Sequence, residues 1–283
     1  MARVSIGLPT YNGVEFIAEC LDSLRSQTFE DFEVLICDNG STDGTSDICA
    51  DVARADARFR HVRYPDTVSA MENFFRVEAM TDAPYFCWRA DDDLADRNHL
   101  AGLVGALDEA PDAALAVAPV LRIIDSTERL FELPALSTDE RAQRIHDVLL
   151  GCHPSWVYGL WRRDAVGLAL KRLANYDFAW AADHLMMLPA IFDNAVVMSP
   201  DGRFIQRIKR QANYHLPPDK LLAARKQYKQ IALEIIAERE WSAPELTKVK
   251  RALDLHLDRR VAPLFKTYKR AFKQKLRSAL PFG

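Results

Sequence analysis

Three consecutive aspartates, Asp91, Asp92 and Asp93, follow directly on the aromatic, β-prone run Tyr85, Phe86, Cys87 and Trp88. Three carboxylates at the mouth of a buried strand repel one another, and they stay ionised together only if something positive is bound among them. The natural candidate is a divalent cation carrying a phosphorylated ligand. Asp is also a turn former and a poor strand former, so taken alone the run reads equally well as a solvated strand-to-loop turn.

Two further loops carry groups that could meet a ligand. The apolar run Val4 to Leu8 closes in Pro9-Thr10-Tyr11-Asn12-Gly13, where Pro9 is expected to end the ladder and Gly13 permits a turn. That leaves an aromatic ring and an amide at the sheet edge, either as a surface on which a planar base could stack or as an ordinary strand-to-helix turn. The second loop reads Cys37-Asp38-Asn39-Gly40-Ser41-Thr42-Asp43-Gly44-Thr45. It suits a turn and helix cap, or a carboxylate that accepts the imide N–H of a pyrimidine or the N–H groups of guanine. Phosphate-loop spacing and Gly-x-Gly-x-x-Gly are both missing, which disfavours ATP hydrolysis and dinucleotide binding.

The elements that must position these loops alternate in type. Strand signals at Val4 to Leu8, Phe32 to Cys37, Phe59 to Tyr64, Tyr85 to Trp88 and Leu115 to Ile124 are separated by helical spacing in Phe16 to Leu24, Ser46 to Arg54, Val68 to Met80 and Asn98 to Asp108. Such βαβ alternation predicts an α/β fold, a mainly parallel sheet with helices on both faces and ligands at the carboxyl ends of the strands. Asp125 to about Ile145 is irregular and is assigned to loop and helix. Asp164 to Leu173 and Asp183 to Phe192 read as helices, the latter interrupted by Pro189. Beyond Pro217-Pro218 the chain should form two or three helices.

Composition excludes several classes. The longest apolar stretches, such as Ala113 to Leu121, fall short of the roughly 20 residues needed to cross a bilayer. The first strand begins at once, without a charged and hydrophobic leader. The five cysteines are odd in number and scattered, so they are expected to be reduced thiols in a cytoplasmic protein, without zinc-type pairing. The net charge of -3 conceals an asymmetry. Met1 to Leu216 holds 21 basic and 33 acidic residues; Pro217 to Gly283 holds 16 and 7. In the basic part, Leu264, Tyr268, Phe272, Leu276 and Leu280 recur every four residues among Lys266, Lys269, Arg270, Lys273, Lys275 and Arg277. This amphipathic pattern suits either peripheral contact of 264–280 with an anionic membrane or a helix packed on its own protein. No nucleic-acid partner is expected, since the tail carries no recognisable binding motif and the rest is acidic.

Taken together, Leu8 to Gly13, the helix end Ser26-Gln27-Thr28-Phe29, Cys37 to Thr45 and Ala90-Asp91-Asp92-Asp93-Leu94 resemble, in order and spacing, the family-two glycosyltransferases of the GT-A fold. A weaker likeness continues through Tyr158-Gly159-Leu160-Trp161-Arg162 and Ala182-Asp183-His184-Leu185. The resemblance implies inverting transfer of a sugar from a UDP-, dTDP- or GDP-linked donor to an acceptor hydroxyl on a glycan or lipid-linked glycan. Surface polysaccharide or lipopolysaccharide synthesis at the inner face of the cell membrane would be the setting.

By position, the resemblance places Pro9 and Tyr11 along the base and Asp38 on it, with Asp43 nearby, Asn12 among the donor-binding residues and Asn73 on the donor side. Asp91 would approach the ribose or the metal, and Asp92 or Asp93 would hold Mg²⁺ or Mn²⁺ against the diphosphate. The family often shows Asp-x-Asp-Asp, whereas this chain has Ala90 at the first of those positions. Asp183 would be the catalytic base at a helix start, with Asp177 as the alternative, and His184 would be structural. Arg207, Lys209 or Arg210 would neutralise diphosphate and His215 would add a metal ligand, or this stretch is a solvated basic edge. The implied organisation is a donor half at 1–125, an acceptor half at 126–216 and a basic helical extension at 217–283. A nucleotidyltransferase would instead need a Gly-rich, Arg- and Lys-containing loop after the first strand, and Pro9 to Gly13 supplies none. A catalytically silent nucleotide-sugar-binding protein is separated from an enzyme mainly by Asp183.

Overall fold

The structure, a computed structural model, describes residues 2–208 and 216–269. In chain order the elements are β1 (Val4–Thr10), α1 (Ile17–Arg25), β2 (Phe32–Asp38), α2 (Thr45–Ala55), β3 (Phe59–Arg63), α3 (Ala70–Ala79), β4 (Tyr85–Trp88) and β5 (Leu94–Ala95). Then come α4 (His99–Glu109), β6 (Leu115–Val117), β7 (Val120–Ile124), β8 (Thr127–Phe131), α5 (Arg141–Gly151), β9 (Leu160–Arg162), α6 (Arg163–Leu173) and α7 (Ala182–Phe192). The last are β10 (Val196–Met198), β11 (Phe204–Ile208), α8 (Pro218–Ala237) and α9 (Ala243–His256). They form two compact units that interleave along the chain: a sheet unit (described residues to Leu133, His153–Leu170, and Ala195 to 208) and a helical unit (Pro134–Cys152, Lys171–Asn194, and the described residues from 216).

In the sheet unit, seven strands run in the order β10-β6-β9-β4-β1-β2-β3. All pairings are parallel except those of β9 with its two neighbours. All seven residues of β1 are buried, as expected of a parallel strand covered on both faces. Ile17, Cys20, Leu21 and Leu24 form the buried stripe of α1 and join Val4, Ile6 and Leu8 in the core. A second sheet orders β5-β11-β7-β8.

Pro9 does not end β1; it pairs in register with Cys37, and the strand runs on to Thr10. The reason is that β4 pairs with β1 only as far as Gly7. Beyond it β1 has one neighbour, so a residue without an N–H is tolerated on the open side. The expected single strand Leu115 to Ile124 is two strands in different sheets, broken at Ala118-Pro119. The stretch assigned to loop and helix contains β8, reached through a turn with Asp125 at φ 53°. The three-residue strands β9 and β10 carry no periodic signal long enough to read.

The helical unit is built on α5, α7, α8 and α9, with a π-turn at Leu257–Val261 and further helix at 264–269. Helix α5 packs on α9, and α7 on α8. Ser242 and Glu245 form a capping box that starts α9. Residues 270–283 of the expected tail helix lie outside the described residues.

Candidate active site

The aspartates sit in the turn between β4 and β5, beside the end of β1 in the same sheet. Thr10 Oγ1 donates to Asp91 Oδ2 at 2.5 Å, and a Cβ on Gly13 would lie 2.5 Å from that same oxygen. Glycine at 13 therefore lets the β1 loop close down on Asp91. The backbone N–H of Arg207, in β11, donates to Asp93 Oδ1 at 2.9 Å. Burial raises the Asp91 and Asp93 pKa values, the latter to about 7, and repulsion from Asp92 adds to both. A cation would relieve both penalties. The donor set is oxygen only, which suits Mg²⁺ or Mn²⁺, so these residues fit a hard divalent ion.

Arg207 lies at the triplet, and its guanidinium is already engaged. It binds the Asp92 carbonyl and the Glu19 carboxylate and lies 4.6 Å from the Phe16 ring centroid. It thereby ties α1 to the acidic turn. Arg89 is a site residue that the sequence motifs do not point to. This buried residue donates from Nη1 to the Leu94 carbonyl at 3.1 Å and lies over the Phe204 ring, and its charge opposes the upward shift at Asp93. An arginine directly after an apolar strand and just ahead of the acids is the one signal that could have found it.

The loops after β1 and β2 are stitched to each other. Ser41 Oγ accepts from the Asn12 N–H and Asn12 Oδ1 accepts from the Thr42 N–H, both at 2.9 Å, with Asn12 at φ 51°. Asp43 accepts from Val14 N–H, Thr45 N–H and Thr45 Oγ1, bonds that hold its carboxyl below the usual range although burial acts against them. Asp38 is fully buried; Oδ1 accepts the Ser41 N–H at 2.8 Å. Among the described residues its Oδ2 makes no hydrogen bond and lies 3.7 Å from Arg63 Nε and 3.8 Å from His61 Nε2, which is itself without a hydrogen bond among them. Burial lowers the His61 pKa, so this imidazole is neutral at physiological pH. Tyr11, 51% exposed, is the open face of the loop pair. Asn73 is buried in α3 and donates to the Cys37 carbonyl at 3.0 Å, which anchors α3 beneath β2.

In the helical unit, Asp183 stands in the first turn of α7, after Ala181 in the left-handed region at φ 59°. It is partly buried, accepts the His184 N–H at 2.7 Å and makes no ion pair among the described residues. Burial raises its pKa. Asp177 is exposed and bonded to Gln227. A pocket of about 460 Å³ opens beside this segment, lined by Asp177, Phe178, Trp180, Leu216, Asp219 and Lys220. Trp180 Nε1 is fixed on the Val261 carbonyl at 2.7 Å. His184 is buried against Cys152 and His256, so it is part of the interior. Lys209, Arg210 and His215 lie outside the described residues.

Comparison with known proteins bears on the family and the fold. A model described as glycosyl transferase family 2 matches residues 5–160, more than half of the chain. The uncharacterized glycosyltransferase EpsJ of Bacillus subtilis is 46% identical over 57 residues, 20% of this chain and 17% of that protein. Chondroitin synthase of Pasteurella multocida is 40% identical over 63 residues, 22% of this chain and 6% of its own length. The chain thus aligns with less than a fifth of either relative. S. aureus TarS 1–349 in complex with UDP-GlcNAc superposes with a TM-score of 0.68 at 17% identity, covering 91% of this chain and 73% of that one. The mannosyltransferase PcManGT from Pyrobaculum calidifontis, with GDP-Man and Mn²⁺, gives 0.62 at 16% identity, over 100% and 76%. These likenesses carry the fold, which is GT-A. The chain belongs to glycosyl transferase family 2.

Proposed function

We propose that the protein transfers a sugar, with inversion, from a nucleotide-diphosphate sugar to an acceptor hydroxyl during assembly of a cell-surface polysaccharide or lipopolysaccharide. The observation that carries this reading is the acidic turn, where Asp91 is held against the end of β1 and the buried Asp93 against β11. TarS was solved with UDP-GlcNAc and PcManGT with GDP-Man and Mn²⁺, which supports a nucleotide sugar and a divalent ion here.

Asp91, Asp92 and Asp93 would hold Mg²⁺ or Mn²⁺. When bound, the ion would offer Lewis-acid stabilisation for negative charge growing on the leaving diphosphate. Tyr11 offers a face on which the base would stack, directly after the end of β1. Asp38 has one oxygen used by Ser41 and one, buried beside Arg63 and His61, that makes no hydrogen bond among the described residues. A single acceptor left without a hydrogen bond matches the one imide N–H of uracil or thymine better than the adjacent donors of guanine, so we assign UDP- or dTDP-linked donors. Asn12, Asp43 and Asn73 would act through the loop geometry that they hold.

Asp183 would take the proton of the attacking hydroxyl. A carboxylate free of ion pairs among the described residues, with its pKa raised by burial, is a stronger base than one in water. Phe178 and Trp180 give the adjacent pocket aromatic surface on which a glycan acceptor would pack. Leu264, Phe265 and Tyr268 are exposed beside Lys266 and Lys269, which supports peripheral contact with an anionic membrane.

The deciding experiment is a thermal-shift and calorimetric screen of UDP-, dTDP- and GDP-sugars, each with Mn²⁺ and with EDTA. A uridine or thymidine donor should bind and stabilise only with metal. Equal affinity in EDTA would remove the metal from the reading, and preference for a guanosine donor would overturn the base assignment. Deleting 264–283 should release the protein from phosphatidylserine liposomes; unchanged binding would refute the membrane contact.

A further inference from the structure

The helical unit contains a second group of metal-ligating side chains that the glycosyl-transfer reading does not use. Cys152 caps the end of α5, His184 sits in the first turn of α7 and His256 is the last residue of α9, so three separate helices meet at one point. All three side chains are buried. One ligand atom from each lies within 4.8 Å of the other two, and Cys152 Sγ stands 3.4 Å from His184 Nδ1. In a tetrahedral zinc site with Zn–S near 2.3 Å and Zn–N near 2.0–2.1 Å, neighbouring ligand atoms are about 3.3–3.6 Å apart. The Cys152–His184 pair already has that spacing, and a modest closure would bring in the third group.

The surroundings suit ligation. His256 Nδ1 meets the Leu149 carbonyl and its Nε2 meets the Tyr228 hydroxyl, each at 3.0 Å. With Nε2 facing a metal on the Tyr228 side, Nδ1 would keep the Leu149 carbonyl as the partner that fixes the ring, as outer-shell partners of ligating histidines do. Both imidazoles are held neutral by burial, with pKa values pushed down to about 3, and the neutral ring is the ligand form. Burial pushes the Cys152 thiol up to about 12, so without a cation it keeps its proton; a bound divalent ion would displace it. Charge near the cluster comes from Asp183, which favours a cation, and from the exposed Arg260, which opposes one. The sequence pattern predicts no zinc-type pairing because these ligands lie far apart along the chain.

We propose that Cys152, His184 and His256 form a buried structural zinc site, with Tyr228 Oη as a further donor, that pins the start of α7 where Asp183 stands. A thiolate and two imidazoles select a borderline-soft ion such as Zn²⁺ over the hard Mg²⁺ or Mn²⁺ suited to the carboxylate turn. The site is independent of the sugar-transfer reading, because its test needs no donor or acceptor.

The test is elemental analysis of the full chain, expressed with zinc and desalted, followed by replacement with Co²⁺. The expected result is about one equivalent of zinc per chain and a sulfur-to-cobalt charge-transfer band that disappears in Cys152→Ala and persists in Asp92→Asn. If Cys152→Ala does not fold, zinc-edge absorption fine structure of the unaltered protein decides: one sulfur and two imidazole nitrogens support the site. Zinc well below one equivalent after refolding with excess Zn²⁺, a cobalt spectrum without the charge-transfer band, or a zinc shell of oxygens alone would overturn it.

Discussion

The acidic turn of the sheet unit and the Cys-His cluster of the helical unit gather ionisable groups in opposite ways. In the turn, three residues adjacent in sequence share one loop, their donors are all oxygen, and Asp91 and Asp92 remain partly accessible. In the cluster, three residues distant in sequence converge from separate helices, their donors are sulfur and nitrogen, and all are sealed inside. A half-open carboxylate site suits an ion that arrives and leaves with a substrate. A closed thiol-imidazole site suits one that stays. Burial alone therefore does not mark a catalytic group: His184 and His256 have strongly shifted pKa values, yet both are enclosed by the protein.

The sharpest way to break this contrast is at the turn. Asp92→Asn should lower transfer about a thousandfold, equivalent to ~4 kcal/mol of transition-state stabilisation, and abolish the Mn²⁺-dependent thermal shift. Near-normal steady-state rates would show that the turn is structural. Next in size is Asp183→Asn, for which kcat should fall by about 10² to 10³ while donor affinity by calorimetry stays the same. Loss of donor affinity instead would mean that Asp183 binds rather than takes a proton.

A smaller effect is expected from Gly13→Ala, which forces a methyl group toward Asp91 Oδ2. Donor affinity should weaken about tenfold, ~1.4 kcal/mol, with the melting temperature little changed. Unaltered affinity would separate the β1 loop from the acidic site. In the helical unit, Tyr228→Phe removes the hydroxyl that meets His256 Nε2 and should cost about 1 kcal/mol in denaturant unfolding without altering kcat. A kcat effect as large as that of Asp183→Asn would show that the sealed cluster reaches the chemistry after all.

Much of the donor side is legible in the sequence. The strand signal at Tyr85 to Trp88 coincides with β4, and the helical signals of the first hundred or so residues end within two residues of α1 to α4, because each carries a clear apolar period. Pro9 departs from its expected role because a proline ends a strand only where the missing N–H is needed, and that depends on which neighbour lies alongside. Leu115 to Ile124 divides in two because an unbroken apolar run carries no sign that Ala118-Pro119 hands the chain from one sheet to another. Arg89 and His61 are silent in the sequence because a lone basic residue in or beside a strand pattern means little until its neighbours are known.

The alternation of strands and helices over the first hundred or so residues, the placement of Asp91 to Asp93 at a strand end and the likeness to family-two glycosyltransferases all follow from the sequence, since they depend on local periodicity and on residues close together in the chain. Three other features appear only in the folded chain: Thr10 and Gly13 close on Asp91, one Asp38 oxygen makes no hydrogen bond among the described residues, and Cys152, His184 and His256 meet. The bonds Thr10–Asp91, Cys152–His184 and His256–Leu149 join residues 81, 32 and 107 positions apart. Their geometry is settled by packing, which no local pattern encodes.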